Sequence, residues 1–312
     1  MPHLRPSRAL LVFLDGVGIG PGDADLNPFA VANLPVLRRL LGGRLPVTEA
    51  LDAAGRIETA EALLVAADAT LGVDGRPQSG TGQTTLLTGV NAAAEYGRHF
   101  GPWVPTGLRP LLAARNLLVR TIAAGGRAAF ANAYPVASIE ADPRIFRRPA
   151  APPLAARAAG MLVRDLAELE RGEAVASSIT NERWRERLGD ALPQVDAAEA
   201  GRRLARIAAG AEVTLFAHYD TDHAGHRGGM EGAVAALEKV DAFLGGIVEA
   251  LPADALLVVS SDHGNVEDVS GGHTLNPVPV LLVGAGRDEA AAQVRDLAGV
   301  VPGIARTLGM ER

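Results

Sequence analysis

The chain has 312 residues, 48 % of them apolar and 21 % charged, a composition that builds one large domain or two ordinary ones and excludes disorder as the main state. Its net charge of −6 argues against a general nucleic-acid or polyanion binder. With no cysteine, disulfides, thiolate metal sites and a cysteine nucleophile are excluded.

Residues 9–14 form a continuous apolar run that stops at Asp15-Gly16, the pattern of a strand buried on both faces. The run is too short for a signal-peptide core or a membrane span, so a cytoplasmic protein without membrane partners is expected. Helical periodicity follows at 29–41, an apolar run at 62–66, helical periodicity at 108–123 and a further run at 128–131. Residues 134–153 hold five prolines and a cluster of arginines, which reads as a small surface insertion. Beyond it come helical segments at 154–169 and 197–208, a run at 213–217, a helix at 232–251, runs at 255–259 and 278–283, and a helix at 300–308. This alternation predicts an α/β fold: a three-layer helix–sheet–helix sandwich with a mostly parallel central sheet, formed by residues 1–312 as a single domain. In such folds the functional loops gather at the carboxyl ends of the strands.

Five of the seven histidines fall between 218 and 273, interleaved with aspartates. The run at 213–217 is followed by His218-Tyr-Asp220-Thr-Asp222-His223-Ala-Gly-His226, and the run at 255–259 by Ser-Ser-Asp262-His263-Gly-Asn265. Ten residues past His263 comes Gly272-His273-Thr-Leu-Asn276-Pro-Val-Pro279. A single histidine near a strand end is usually an ordinary satisfied polar residue. Several imidazoles and carboxylates at adjacent strand ends form a donor set suited to Zn²⁺ or Mn²⁺. Asp15 ends the first buried strand, where an unpaired carboxylate is costly. In Gln78-Ser79-Gly-Thr81-Gly82-Gln83, Ser79 reads as the N-cap of a helix whose free N–H groups suit a phosphate. The segment is not a P-loop, because Gly-Lys-Ser/Thr is missing.

In this order, Asp-Gly after the first strand, Ser-x-x-Gly at a helix start, Asp-x-x-Gly-His, Asp-His-Gly and His-Thr-x-Asn-Pro-Val-Pro resemble the alkaline phosphatase superfamily. The likeness is strongest to its metalloenzyme branch, which contains cofactor-independent phosphoglycerate mutase and phosphopentomutase. The resemblance implies two divalent ions, Mn²⁺ or Zn²⁺ first and Mg²⁺ as a further option. One would be held by Asp222, His226 and His273, the other by Asp15, Asp262, His263 and the Ser79 oxygen. It makes Ser79 the phosphorylated nucleophile, with Thr81 the alternative if the register slips, and a small phosphorylated molecule the substrate. His218, Asp220 and His223 are expected to orient ligands, and Arg98, His99 and Arg227 to contact substrate.

Two departures bear on the reaction. The mutases of this branch carry a large domain inserted soon after the nucleophile helix, and only about twenty residues separate Gly89 from the next predicted helix, short of domain size. They also carry a histidine four residues after the nucleophile, where this chain has Gln83. The expectation is therefore a two-metal phosphoric-ester hydrolase working through phosphoserine, with a phosphomutase or phosphotransferase as the alternative. A non-catalytic metal-stabilised binding protein is a third reading, disfavoured because every matched ligand position is filled.

Overall fold

The computed structural model describes residues 6–189 and 192–310. Strand β1 (Arg8–Leu14) forms where the first apolar run predicts it. Its side chains alternate between two covered faces: Ala9, Leu11 and Phe13 enter one buried cluster, and Leu10, Val12 and Leu14 the other. Burial on both sides explains why the run shows no polar alternation.

The helix expected at 29–41 is two short ones, α1 (Pro28–Val31) and α2 (Pro35–Leu40). Pro35 disfavours helical backbone at the preceding residue, and Leu34 sits at φ −119°, ψ 66°. Strands β2 (Arg56–Glu58) and β3 (Ala62–Ala67) precede the buried helix α3 (Ser79–Thr88) and the short α4 (Ala92–Tyr96). The expected helix at 108–123 breaks into α5 (Arg109–Arg115) and α6 (Leu117–Ala123). The break is Asn116, whose extended backbone ends α5 while its side chain accepts from the N–H groups of Leu118 and Val119 to cap α6.

After β4 (Ala128–Phe130) come α7 (Val136–Ala141), α8 (Ala151–Ala158), α9 (Leu166–Arg171) and α10 (Glu182–Leu188). The expected single helix at 154–169 is thus parts of α8 and α9. Residues 151–153, read as part of a surface insertion, instead open α8 as buried residues, and α8 packs against α3. The irregular region also runs beyond Pro153. It has a small apolar cluster of its own, made by Ala133, Leu169, Ala174, Ala176 and Leu192.

The remaining elements are α11 (Ala197–Ala208), β5 (Val213–His218), α12 (Asp220–Arg227), α13 (Gly229–Ala250), β6 (Ala255–Ser260), β7 (Val278–Gly284), α14 (Arg287–Ala291) and α15 (Val300–Thr307). The strands form one sheet in the order β2-β3-β7-β6-β1-β5-β4. β1 pairs in parallel with β5 and β6, and β4 with β5, while β2–β3, β3–β7 and β6–β7 are antiparallel. Following these pairings, β1, β3, β4, β5 and β6 point one way and β2 and β7 the other. The sheet is therefore mixed and mostly parallel, with helices on both faces, as the sequence predicts. The carboxyl ends of β1, β5 and β6 and the start of β7 share one edge.

Helices α11 and α13 lie side by side over one face. Their approach depends on Gly246, where an added Cβ would stand 1.8 Å from the Ala198 carbonyl oxygen. Overpacking of this kind costs about 1–3 kcal/mol. Gly246→Ala is expected to lower the urea midpoint by a corresponding amount with an unchanged slope; an unaltered midpoint would contradict the close packing.

Candidate metal centre

The shared edge collects the polar residues that the sequence singles out. Asp15 follows β1, and its N–H donates to the His218 carbonyl at the end of β5 at 2.9 Å. Asp262 and His263 follow β6, and both are fully buried. His273 lies before β7 rather than after a strand, and it reaches the same edge because β7 runs antiparallel to β6. Asp222 and His226 are one helical turn apart on α12, a mostly polar helix that apolar periodicity does not reveal. Their i, i+4 spacing puts both on one face, with His226 Nε2 3.5 Å from Asp222 Oδ2.

Ser79 is the first residue of α3 rather than its N-cap, and Gln78 takes the cap position without a side-chain bond. The serine hydroxyl is therefore not spent on capping. It lies 3.0 Å from His263 Nε2. The Thr81 hydroxyl faces elsewhere, donating to the Gln78 carbonyl at 3.2 Å and accepting from the Phe100 N–H at 3.2 Å. Gly82 is required where α3 meets the end of β6, since a Cβ there would stand 2.6 Å from the Asp262 carbonyl oxygen. The Ser-x-x-Gly spacing thus has a local cause: it lets the serine helix press against the Asp262-His263 turn.

The donors form two overlapping groups. Asp222, His226 and His273 offer ligand atoms within 4.8 Å of one another, as do Asp15, Asp222 and His263. Asp262 Oδ2 adds to the second group at 3.6 Å from His263 Nε2, and Asp15 Oδ1 is 3.4 Å from the same nitrogen. The tautomers suit a cation. His273 Nδ1 is 2.9 Å from the Pro77 carbonyl and His263 Nδ1 is 3.3 Å from the Gly264 carbonyl. Donation from each Nδ1–H to its carbonyl leaves both Nε2 atoms facing the cluster.

The electrostatics point the same way. Burial, reinforced by the charge of Asp262, pushes Asp15 well above the usual carboxylate range. Burial also raises Asp262. Burial alone would lower His263, yet Asp262, Asp15 and Asp222 overcome it and raise the imidazole to about 10. His273 is lowered to about 4 by burial and by the neighbouring His263. Asp15 Oδ1 and Asp262 Oδ2 are buried without a hydrogen-bond partner. Orphaned carboxylate oxygens beside a histidine held charged describe a pocket that demands positive charge. An all-N/O donor set at these separations fits divalent ions.

Residues outside the expected set hold the cluster in place. Glu267 is buried, accepts from the N–H groups of Gly18 at 2.9 Å and Asn265 at 2.8 Å, and accepts from Asn276 Nδ2 at 3.0 Å and the Thr274 hydroxyl. One carboxylate thereby ties the loop after β1, which carries Asp15, to both ends of the β6–β7 connection, which carries His263 and His273. Asn265 Nδ2 donates to Asp222 Oδ1 at 2.6 Å, and Gln83 Nε2 to Asp15 Oδ2 at 3.2 Å. Nothing in the spacing of Glu267, four residues past His263, marks it in the sequence as a bracing acid.

Other expected site residues are not brought to this cluster. His218 Nδ1 lies 2.7 Å from the Ser177 carbonyl, and Asp220 pairs with Arg183 at 2.7 Å, with no described bond from either to the candidate ligands. Both turn toward the segment between β4 and β5. His223 is exposed on α12, with no side-chain bond to the cluster among the described contacts. Arg98 is exposed beside the Tyr96 ring at 6.0 Å, His99 Nε2 lies 3.2 Å from the Val73 carbonyl, and Arg227 is exposed. None of the three touches the Ser79 cluster among the described interactions.

The fold is alkaline-phosphatase-like, and the donor set at its sheet edge could hold divalent metal ions. Within that class, residues 189–312 match the family model described as the Metalloenzyme superfamily. A 2,3-bisphosphoglycerate-independent phosphoglycerate mutase of Rhodopseudomonas palustris is 40 % identical over 120 residues, 35 % of this chain and 24 % of that protein. One from Agrobacterium fabrum is 37 % identical over 130 residues, 38 % of this chain and 25 % of that protein. The match thus spans about a quarter of the length of these relatives. Among solved structures, the PH0037 protein from Pyrococcus horikoshii superposes with a TM-score of 0.57 at 13 % identity, covering 99 % of each chain. The alkaline phosphatase from the Antarctic bacterium TAB5 gives 0.50 at 10 % identity, covering 98 % of this chain and 99 % of that one. These neighbours show the fold.

Two measurements probe the centre. Calorimetric titration of Mn²⁺ at pH 8 in buffers of different ionisation enthalpy is expected to show net proton release, because His263 must lose its proton to ligate. Binding with no dependence on the buffer would oppose that charge state. Glu267→Ala is expected to weaken Mn²⁺ binding by about 10–100-fold, the usual effect of removing a group that orients ligands. Wild-type affinity in this variant would mean that the loops hold their places without it.

Proposed function

We propose that the chain is a metal-dependent phosphoryl-transfer enzyme that works through a phosphoserine at Ser79 on a small phosphomonoester. The observation that carries this is the Ser79 hydroxyl at the start of α3, 3.0 Å from His263 Nε2 and beside the buried Asp15 and Asp262. Asp15, Ser79, Asp262 and His263 would hold one divalent ion and Asp222, His226 and His273 the other, with Mn²⁺ or Zn²⁺ favoured by the donor types. When bound, such ions lower the cost of forming the serine alkoxide and of placing charge on the phosphoryl oxygens.

The chain's own residues account for the rest. The Ser79 oxygen forms the new O–P bond while the substrate's ester O–P bond breaks and the leaving oxygen takes a proton. Ser79 opens α3, whose dipole favours the negative charge of a phosphoryl group carried there, while the Thr81 N–H is taken by the Phe100 carbonyl at 3.0 Å. Gln83 fixes Asp15, and Asn265 fixes Asp222, so the carboxylates do not swing as charge develops. A second hydroxyl then attacks phosphoserine and restores Ser79.

The acceptor distinguishes two readings. The matched relatives are named phosphoglycerate mutases, which favours return of the phosphoryl group to another hydroxyl of the substrate. The hydrolase reading, with water as acceptor, is favoured by the short connection between α3 and β4, which carries only α4, α5, α6 and a helical turn.

Rapid quench of the Mn²⁺-loaded protein with a ³²P-labelled phosphomonoester is expected to trap label on Ser79. Ser79→Ala is expected to lower release of the alcohol by at least roughly a thousandfold. Equal rates in wild type and variant would remove the nucleophile assignment. Label recovered in an isomer of the substrate identifies a mutase, and label in inorganic phosphate a hydrolase.

A further inference from the structure

A cavity of about 570 Å³ opens where the segment between β4 and β5 faces the ends of those strands. Its size is that of a small-molecule site. Three of its walls are aromatic: Tyr134, Trp184 and Tyr219, with Leu166 adding apolar surface and Ser138 and Ser177 adding polar groups. Tyr219 connects it to the catalytic edge. It follows β5 directly, its ring packs edge-on against Phe13 of β1 at 6.1 Å, and its hydroxyl lies 3.5 Å from that of Tyr134. Asp15 follows β1, Tyr219 follows β5 and Tyr134 lies beyond β4, three neighbouring strands in the sheet. At roughly 4.8 Å between strands, the cavity begins one to two strand widths from Asp15, on the order of 5–10 Å.

The charged groups of its wall are already engaged. Arg183 pairs with Asp220 at 2.7 Å, and Asp165 caps α9 by accepting from the Ala167 N–H at 3.1 Å. Among the described lining residues, Arg183 is the one cation and it is paired with Asp220, while the aromatic faces suit a flat uncharged group. We propose that this cavity is the subsite for the organic part of the substrate, and that this part is an uncharged aromatic group the size of a nucleoside. The proposal rests on the Ser79 phosphoryl-transfer reading: with the phosphoryl group at Ser79, an ester of that length reaches the cavity across Tyr219. It also accounts for the displacement of His218 and Asp220 from ligand duty, since Asp220 neutralises Arg183 and His218 holds Ser177 in the wall.

The test separates the subsite from the chemistry. With Trp103 replaced by phenylalanine, Trp184 is the remaining tryptophan of the chain, and its fluorescence is titrated with adenosine, which carries no phosphate. Saturable quenching is expected in the micromolar to millimolar range, and ribose is expected to give none. Ser138→Trp, read by equilibrium dialysis of labelled adenosine, is expected to weaken binding at least tenfold by filling the cavity from an exposed position. In Mn²⁺-loaded protein the ratio of kcat/KM for adenosine monophosphate to that for glycerol phosphate is expected to fall at least tenfold in Ser138→Trp and in Trp184→Ala, chiefly through KM. Absence of saturable adenosine binding to the wild type overturns the subsite, even where Ser79-dependent turnover is found. Adenosine binding that Ser138→Trp weakens, with no Ser79-dependent turnover of either ester, keeps the subsite and removes the phosphoryl-transfer reading.

Discussion

Buried negative charge at one sheet edge is the constraint on which the site depends. Asp15 and Asp262 are buried beside His263, each with a carboxylate oxygen that no protein group satisfies. Desolvating ionised carboxylates costs several kcal/mol apiece unless they are compensated, and one imidazole can compensate only part. The raised Asp15 and Asp262 and the charged His263 are the response of the metal-free protein to that deficit. In the proposed reading, a pair of divalent ions would remove it and would turn a destabilising cluster into a site for anionic phosphoryl groups.

The rest of the architecture keeps those charges in register. β1, β5 and β6 bring Asp15, the start of α12 and the Asp262-His263 turn side by side. The reversal of β7 brings His273 from the opposite direction along the chain. Glu267 crosslinks the loop after β1 to both ends of the β6–β7 connection, so the candidate ligands are fixed by hydrogen bonds as well as by the cation they would share. The same edge continues over β5 to β4, where the chain builds its aromatic cavity instead of a further metal ligand.

Much of this was legible in the sequence, because strands buried on both faces leave uninterrupted apolar runs and the polar residues at their ends stand out. The runs at 9–14, 213–217 and 255–259 lie within strands of nearly those bounds. Less was legible where local chemistry interrupts a period. Pro35 and Asn116 divide helices that the apolar pattern presents as continuous. α12 was missed because Asp220–Arg227 is mostly polar and shows no apolar stripe, although its i, i+4 spacing of Asp222 and His226 carried the information. β2 is a three-residue edge strand with one buried side chain, too short to leave a pattern. His218 and Asp220 show the limit of proximity in sequence: adjacent to ligands along the chain, they turn to the other side of the strand end. Glu267 shows the converse, since nothing in its spacing distinguishes a bracing carboxylate from a surface acid.

Metal content tests the account most directly. The chain is loaded with Mn²⁺, freed of excess metal by gel filtration, and analysed by elemental mass spectrometry beside Asp262→Asn and His273→Ala variants shown to be folded. The account predicts two ions per wild-type chain, about one in each variant, and a melting temperature that rises with metal in the wild type. A wild-type chain that retains no metal and melts at the same temperature with or without Mn²⁺, Zn²⁺ or Mg²⁺ would contradict it.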